Sequence, residues 1–504
     1  MRTALLRNTI QQQARFIALA LVVWLSACAG PPDDNAAVGD DAAGPVASVP
    51  TQAKSSDGKY ISWKEHIVDG EAAGGVAVPG GVAVAGSDGL VMADLDLDGH
   101  LDIVSVHESD TTYDGVADGH IRIAFGSEDP NQWELTTLSE GAEAGAAEDA
   151  AIDDVNGDGY PDIVAACELA HLIYFQNPGE SARTEPWKRI IPNVANNRGS
   201  FIRVFFADFN RDGRPEVVAP NKGSQAGSRD TVERKPILWF EIAGDPLEQS
   251  SWIEHELIRV RVPINSRPVD LDGDGNLDIL GGSRGETRLF WFQNTGEPAI
   301  KFVEHAIKIE GSSVLGEDAQ GITGFNFEFA DLSGDGRLDV VVSERRSELV
   351  WLEQPPDFSE AWKLHHIGSM APDTATGLVA ADINNDGRPD FMVGSYSGGP
   401  RDQDGQDVTV NNRLGHLAWF EHSGDAAQEW LRHDISRRKR GMFDKFVARD
   451  MDGDGDADFV GTRGNSVPYD GVYWLEQVRT DEPVPSFERA RDADSEEMPL
   501  PSGG

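Results

Sequence analysis

One acidic nonapeptide recurs seven times along the 504 residues, and this recurrence limits the fold more than any other feature of the chain. The copies read DLDLDGHLD from Asp94, DVNGDGYPD from Asp154, DFNRDGRPE from Asp208, DLDGDGNLD from Asp270, DLSGDGRLD from Asp331, DINNDGRPD from Asp382 and DMDGDGDAD from Asp450. They share the pattern D-x-[DNS]-x-D-G-x-x-[DE] and start 60, 54, 62, 61, 51 and 68 residues apart. A fixed motif at a roughly fixed period marks a repeat architecture, in which each unit buries its apolar faces against its neighbours.

Positions 1, 3, 5 and 9 of every copy carry side-chain oxygen. These are Asp94, Asp96, Asp98 and Asp102 in the first copy, Asp154, Asn156, Asp158 and Asp162 in the second, and Asp208, Asn210, Asp212 and Glu216 in the third. They continue as Asp270, Asp272, Asp274 and Asp278, then Asp331, Ser333, Asp335 and Asp339, then Asp382, Asn384, Asp386 and Asp390, and last Asp450, Asp452, Asp454 and Asp458. A hard cation takes six to eight oxygens at flexible distances, and a tight loop aims alternate side chains at one point. The spacing therefore predicts structural calcium, up to seven ions. The glycine at position 6 of every copy is expected to supply the left-handed backbone that turns the loop. The spacing is that of the first half of an EF-hand, but each copy runs into a short β-branched stretch such as IVSV, ILGG or VVVS, which reads as strand rather than helix.

Further signatures complete the unit. LIYFQ, ILWFE, LFWFQ, LVWLE, LAWFE and VYWLE give a third strand, and W-x-x-H-x-[IL] a fourth. Each repeat is then four strands with the acidic loop between the first and second, the cue for a β-propeller. The predicted fold is all-β: a seven-bladed propeller with four antiparallel strands per blade. SWKEHIV at Ser62–Val68 is a fourth strand with no repeat before it, and VYWLEQV is a third strand with none after it. The N-terminal strand is therefore expected to complete the last blade and close the ring. Eleven of the twelve tryptophans fall in third or fourth strands, as packing between blades. His66, His255, His305, His365 and His433 lie in fourth strands of different blades, so they are expected to make local hydrogen bonds rather than one common site.

These residues resemble the FG-GAP/VCBS repeat family of calcium-binding β-propellers, which includes the head of integrin α chains. The resemblance covers roughly residues 60–478. It implies the fold and the calcium loops; it implies function only weakly, because the propeller hosts many functions. The W-x-x-H-x-I strands are also similar to those of the aldos-2-ulose dehydratase propeller, and some polysaccharide lyases use similar calcium-bearing propellers.

Residues 1–27 read as a signal peptide: three arginines, an apolar stretch from Phe16 to Leu25, then Leu25-Ser26-Ala27-Cys28. That ending resembles a bacterial lipobox, which implies lipidation at Cys28 and outer-membrane attachment in a Gram-negative bacterium. Residues 28–57 read as a flexible tether, 58–478 as the propeller and 479–504 as an acidic disordered tail. Only Cys167 remains beside Cys28, so calcium rather than disulfide is the expected staple. The formal charge of −43 argues against nucleic acid or an anionic membrane surface as partner, leaving the lipid as the only membrane contact. A monomer is expected.

All seven acidic loops fall on one face. On the other, five residues before each motif, stand Asp149, Arg203, Asn265, Asn326 and Lys445, with Arg267 and Glu328 two residues further on in their strands. They are the candidate ligand-binding residues, and the basic ones suggest an anionic ligand such as a uronic-acid glycan. Two function classes follow: a surface recognition or adhesion protein with a glycan or protein partner, or a carbohydrate lyase or dehydratase. For the second, Tyr396, His107 and Lys445 are candidate bases. No catalytic motif fixes a nucleophile.

Overall fold

A computed structural model of the chain describes residues 44–109, 117–169, 171–224, 232–296, 299–310, 321–398, 404–405 and 407–502. The leader and Cys28 lie outside the described residues.

Among the described residues, seven sheets each hold four antiparallel strands, successive in the chain in all but the last, and two of the sheets add a short parallel fifth strand. The first blade is Ser87–Ala93, Asp102–His107, His120–Phe125 and Glu134–Glu140. The apolar run after each motif becomes the second strand. It carries no alternation because both its faces are covered by neighbouring sheets: every residue of Asp102–His107, Asp162–Cys167, Asp278–Ser283, Asp390–Ser395 and Asp458–Arg463 is buried. The core accordingly lies between blades. Val104 and Ile123 of the first blade, for example, share one cluster with Ile163, Phe175 and Trp187 of the second.

The seam closes as the sequence predicts. Tyr60–Gly70 pairs antiparallel with Gly471–Thr480, from Tyr60 opposite Thr480 to Gly70 opposite Gly471, as the fourth strand of the last blade. Closure removes the open edge and ties the two ends of the ring together.

The tryptophans and histidines form a repeated outer device. Third-strand Trp239, Trp291, Trp351, Trp419 and Trp474 each lie against the fourth-strand histidine opposite, His255, His305, His365, His433 and His66, with ring centroids 3.8–4.4 Å apart. Nε2 of His66, His365 and His433 meets Glu476, Glu353 and Glu421 at 2.6–2.7 Å, and that of His305 meets Gln293 at 2.9 Å. These are separate local stacks, not one site.

The chain ends differ from the sequence expectation. The segment after Thr480, read as a disordered acidic tail, is packed: Phe487, Arg491, Ser495 and Met498 are buried, and Phe487–Glu488 adds a parallel fifth strand beside Tyr60–Gly70. Its acids neutralise buried arginines. Asp494 meets Arg463 at 2.6 Å, and Glu497 meets Arg438 at 3.1 Å. Composition alone suggested a solvated tail because the pairing cations lie elsewhere in the sequence. From the other end, Val46 and Ala53 are buried, and the N–H of Thr51 donates to Val484, so order begins inside the expected tether.

Candidate functional site

The seven loops share one backbone geometry. In each, the N–H of the position-6 glycine donates to the position-1 aspartate at 2.8–3.1 Å. Gly99, Gly159, Gly213, Gly275, Gly336, Gly387 and Gly455 all have φ between 83° and 93°, the left-handed region that a β-carbon disfavours. The position-9 acid is buried and ties the loop to the end of the third strand. Asp102 accepts from the N–H of Leu95 and of Gly126, both at 2.8 Å. Asp458 does the same with Met451 and Gln477, both at 2.8 Å. Burial pushes Asp102, Glu216, Asp278, Asp390 and Asp458 up to about 7 and Asp162 up to about 6, against the opposing pull of these N–H donors.

The donor set suits a hard cation. Carboxylate oxygens of Asp94, Asp96 and Asp102, of Asp270, Asp272 and Asp274, and of Asp450, Asp452 and Asp458 lie within 4.8 Å of one another in each group. Oδ1 of Asp96 and Oδ1 of Asp270 are buried and accept no hydrogen bond. Buried orphan oxygens inside an all-oxygen group are what a calcium ion satisfies. The loops are not equivalent, however. Arg183, from the end of the second blade, bonds Asp96 and reaches Asp98 at 2.7 Å, so a guanidinium sits over the first loop. Arg337 and Arg388 lie on the position-5 acids Asp335 and Asp386 of their own loops.

The opposite face is read one residue away from where strand alternation placed it. All seven candidate ligand residues there are engaged with the fold, and none lines the cavity. Arg203 crosses from the third blade to Asp444 of the seventh at 2.9 Å, both almost wholly buried. Lys445 lies 4.0 Å from Asp149, and Arg267 lies 3.1 Å from Glu328. The amides of Asn265 and Asn326 donate to the carbonyls of Phe325 and Thr376 at 2.8 and 2.7 Å. This layer joins blades across the ring.

Above it opens a cavity of about 470 Å³. Much of its wall comes from the residues six before a motif and fourteen after it: Asp88, Glu148, Ile202, Phe325, Thr376 and Asp444 from the first set, and Glu108, Glu168, Lys222, Arg284 and Tyr396 from the second. The shift of register has a cause. Pairing of first and second strands skips between Ser87 and Gly89, between Ala147 and Asp149, and between Pro263 and Asn265. Asp88, Glu148 and Ile264 are thus extra residues of a bulge, a device that re-aims a side chain. The cavity is polarised. Its carboxylates come from the first, second and seventh blades, while Lys222, Arg284, Arg346 and Arg413 come from the third to the sixth. Of the candidate bases, only Tyr396 reaches it. His107 is buried on Ser87 and Ser105 at 2.7 and 3.0 Å, and burial holds it neutral.

A contact that the sequence reading missed links neighbouring blades. Asn177, Asn294, Gln354 and Gln477, each in the C-terminal part of a third strand or just after it, donate side-chain N–H to the position-2 carbonyl of the preceding blade's loop, at Leu95, Phe209, Leu271 and Ile383, over 2.7–3.1 Å. The signal was present as the amide that ends YFQN, WFQN, WLEQ and WLEQ.

A family model described as an FG-GAP-like repeat matches residues 154–219, 270–342 and 331–393. No curated protein matches. A solved structure, that of BBS1N in complex with ARL6DN, soaked with mercury, is 11% identical with a TM-score of 0.40, covering 79% of this chain and 94% of that one. With three matched repeats on a ring of seven four-stranded blades, the chain is an FG-GAP-repeat β-propeller.

Proposed function

We propose that the protein is an exported, calcium-stabilised recognition propeller, anchored through lipid on Cys28, that binds an anionic glycan in the channel mouth. The loops supply the scaffold. Calcium there offsets the mutual repulsion of clustered carboxylates and links loop to strand. The reading rests on one observation above all: the 470 Å³ cavity has guanidinium groups on one wall and carboxylates on the other. Arg284 lies over the Phe325 ring, 5.9 Å from its centroid, and shares the cavity with Arg346, Arg413 and Tyr396. A planar guanidinium beside aromatic faces suits a sugar carboxylate with its ring stacked alongside. Arg203 and Arg267 no longer support this reading, since they pair within the fold.

The test is calorimetric titration of the calcium-loaded protein with uronate oligosaccharides. Binding should weaken at least tenfold in Arg284→Ala and Arg413→Ala. Absence of binding to every uronate tried, or equal affinity in both variants, overturns the proposal. A catalytic reading draws on Tyr396 in the same cavity as Arg413 and Arg346, the kinds of base and charge-neutraliser that β-elimination next to a carboxylate requires. Ultraviolet absorbance from an unsaturated product, growing with time and lost in Tyr396→Phe, would select it.

A further inference from the structure

The seven loops differ in how many carboxylates they carry. Only the first, fourth and seventh have aspartate at all four ligand positions, and in each of these three the oxygens of three aspartates gather within 4.8 Å. Affinity for a hard cation follows the charge and rigidity of the ligand set, so three equal sets should bind alike unless a further charge intervenes. At the first loop one does.

Arg183 stands in the connector between the third and fourth strands of the second blade, and the connector fixes it. Ala182 beside it is 2% exposed, its N–H donates to the carbonyl of Gly179 at 2.8 Å, and its carbonyl accepts from the indole of Trp187 at 3.0 Å. The guanidinium bonds Asp96 through Nε and reaches Asp98 at 2.7 Å, the ligands at positions 3 and 5. Contacts outside the loop hold it in the same place: the carbonyl of Gly126 at 3.2 Å, the Phe125 ring with its centroid 4.9 Å away, and Glu134 at 3.6 Å. It takes Oδ2 of each aspartate, while Oδ1 of Asp96 stays buried without a hydrogen-bond partner. In the five other blades whose third and fourth strands are joined by a connector, the residue four before the fourth-strand aromatic is Asp129, Glu248, Pro298, Phe358 or Ala426. None of these is basic.

We infer that Arg183 is a built-in counter-cation of the first loop, which joins blades one and two without an ion and makes this loop the weakest calcium site of the three four-aspartate loops. The inference rests on the calcium reading of the loops and is independent of any glycan. An ion bound at the first loop shares Asp96 and Asp98 with a fixed positive charge, which repels it and occupies one oxygen of each carboxylate. The same charge offsets the repulsion among the aspartates of an ion-free loop, so this junction stays closed when calcium is low. The response to falling calcium is therefore graded: the first loop releases its ion before the fourth and seventh release theirs.

Calcium alone is the probe. Decalcified wild-type protein, Arg183→Gln and, as a control in the fourth loop, Asp272→Asn are titrated with calcium against a chromophoric chelator. Arg183→Gln should tighten one weakly held ion at least tenfold and leave the others unchanged, whereas Asp272→Asn should weaken a different, tightly held one. Without calcium, Arg183→Gln should also unfold at a lower temperature than wild type, and calcium should close that difference. Calcium binding that is equal in Arg183→Gln and wild type, or weaker in the variant, overturns the inference and leaves calcium in the loops. Absence of binding in both proteins overturns the calcium reading and the inference with it. Should the variant fail to fold, wild-type crystals soaked in graded manganese chloride decide. Anomalous peaks that appear in the fourth and seventh loops at lower concentration than in the first support the inference, and simultaneous filling, or filling of the first loop ahead of them, refutes it.

Discussion

The two faces of the ring are made from the same seven repeats under different constraints. On the loop face, position 6 is glycine in every blade, with φ confined to 83–93°. On the channel face, the residue six before each motif is Asp88, Glu148, Ile202, Ile264, Phe325, Thr376 or Asp444. Loop residues repeat because each blade solves one local problem, turning the chain around a cluster of oxygens. Cavity residues differ from blade to blade, as the proposed recognition of an asymmetric ligand would require of a site that several blades share. Within one chain, repetition therefore marks scaffold, and divergence marks the wall that the proposal assigns to recognition.

Calcium removal gives the largest expected effect and tests the scaffold half of that contrast. At a free concentration a hundred times the dissociation constant, each filled loop adds about 2.7 kcal/mol. Chelation should therefore lower the thermal midpoint strongly, as read by circular dichroism. Since burial holds the position-9 acids protonated up to about 7, calcium must displace protons there, and affinity should rise with pH across that range. A midpoint indifferent to chelator would remove calcium from the account of the loops.

The buried arginines of the last two blades come next. Arg438 is 1% exposed and meets Glu65 at 3.0 Å, Asp494 at 3.5 Å and Glu497 at 3.1 Å. Arg438→Ala strands these acids and should cost about 3–5 kcal/mol in denaturant unfolding. Because two of them belong to the chain end, the same variant should expose residues 481–502 to protease. A smaller test compares the faces directly. In Gly387→Ala a β-carbon meets nothing within 4 Å, so its cost of about 1–2 kcal/mol is conformational, from φ of 84°. In Gly89→Ala the β-carbon would lie 2.7 Å from the carbonyl oxygen of Glu148, so the cost is steric, and the acidic wall should shift with it. Calcium binding at the loops should fall only in Gly387→Ala.

The ring, its closure and the turn glycines were legible because each is written locally: a motif, a strand pattern, an unpaired strand at each end. The cavity lining was not, although the correct face was. Alternation pointed to Arg203 and Asp149, one residue from Ile202 and Glu148, because a bulge leaves no mark in a hydrophobic pattern. Tyr396, which follows a regular second strand, was a candidate from the sequence and does line the cavity. The packed end was missed for a different reason. Asp494 and Glu497 look like a solvated run until Arg438 and Arg463 are brought beside them by the fold.

The smallest effect concerns pH, and it sets the sixth blade's channel-face edge against the loops. His416 is fully buried between Asp373 and Asp434, each 3.0 Å away, and Arg437 bonds Asp373 at 2.7 Å while donating to the carbonyl of Pro499 near the chain end. Burial opposes the imidazolium, but the two carboxylates outweigh it and raise the histidine above its ordinary value. A group raised on folding contributes stability that is complete below the unfolded value, near 6.5, and is lost as pH rises through the folded one. Asp373 and Asp434 are lowered, so their share is lost instead as pH falls below the ordinary carboxylate range. Stability of the calcium-saturated protein should therefore decline above neutrality by no more than about 1.4 kcal/mol per pH unit, the limit for one proton. In His416→Gln that decline should vanish while the response to chelator stays unchanged. A decline that persists in the variant would place the proton elsewhere and leave this edge of the ring indifferent to pH.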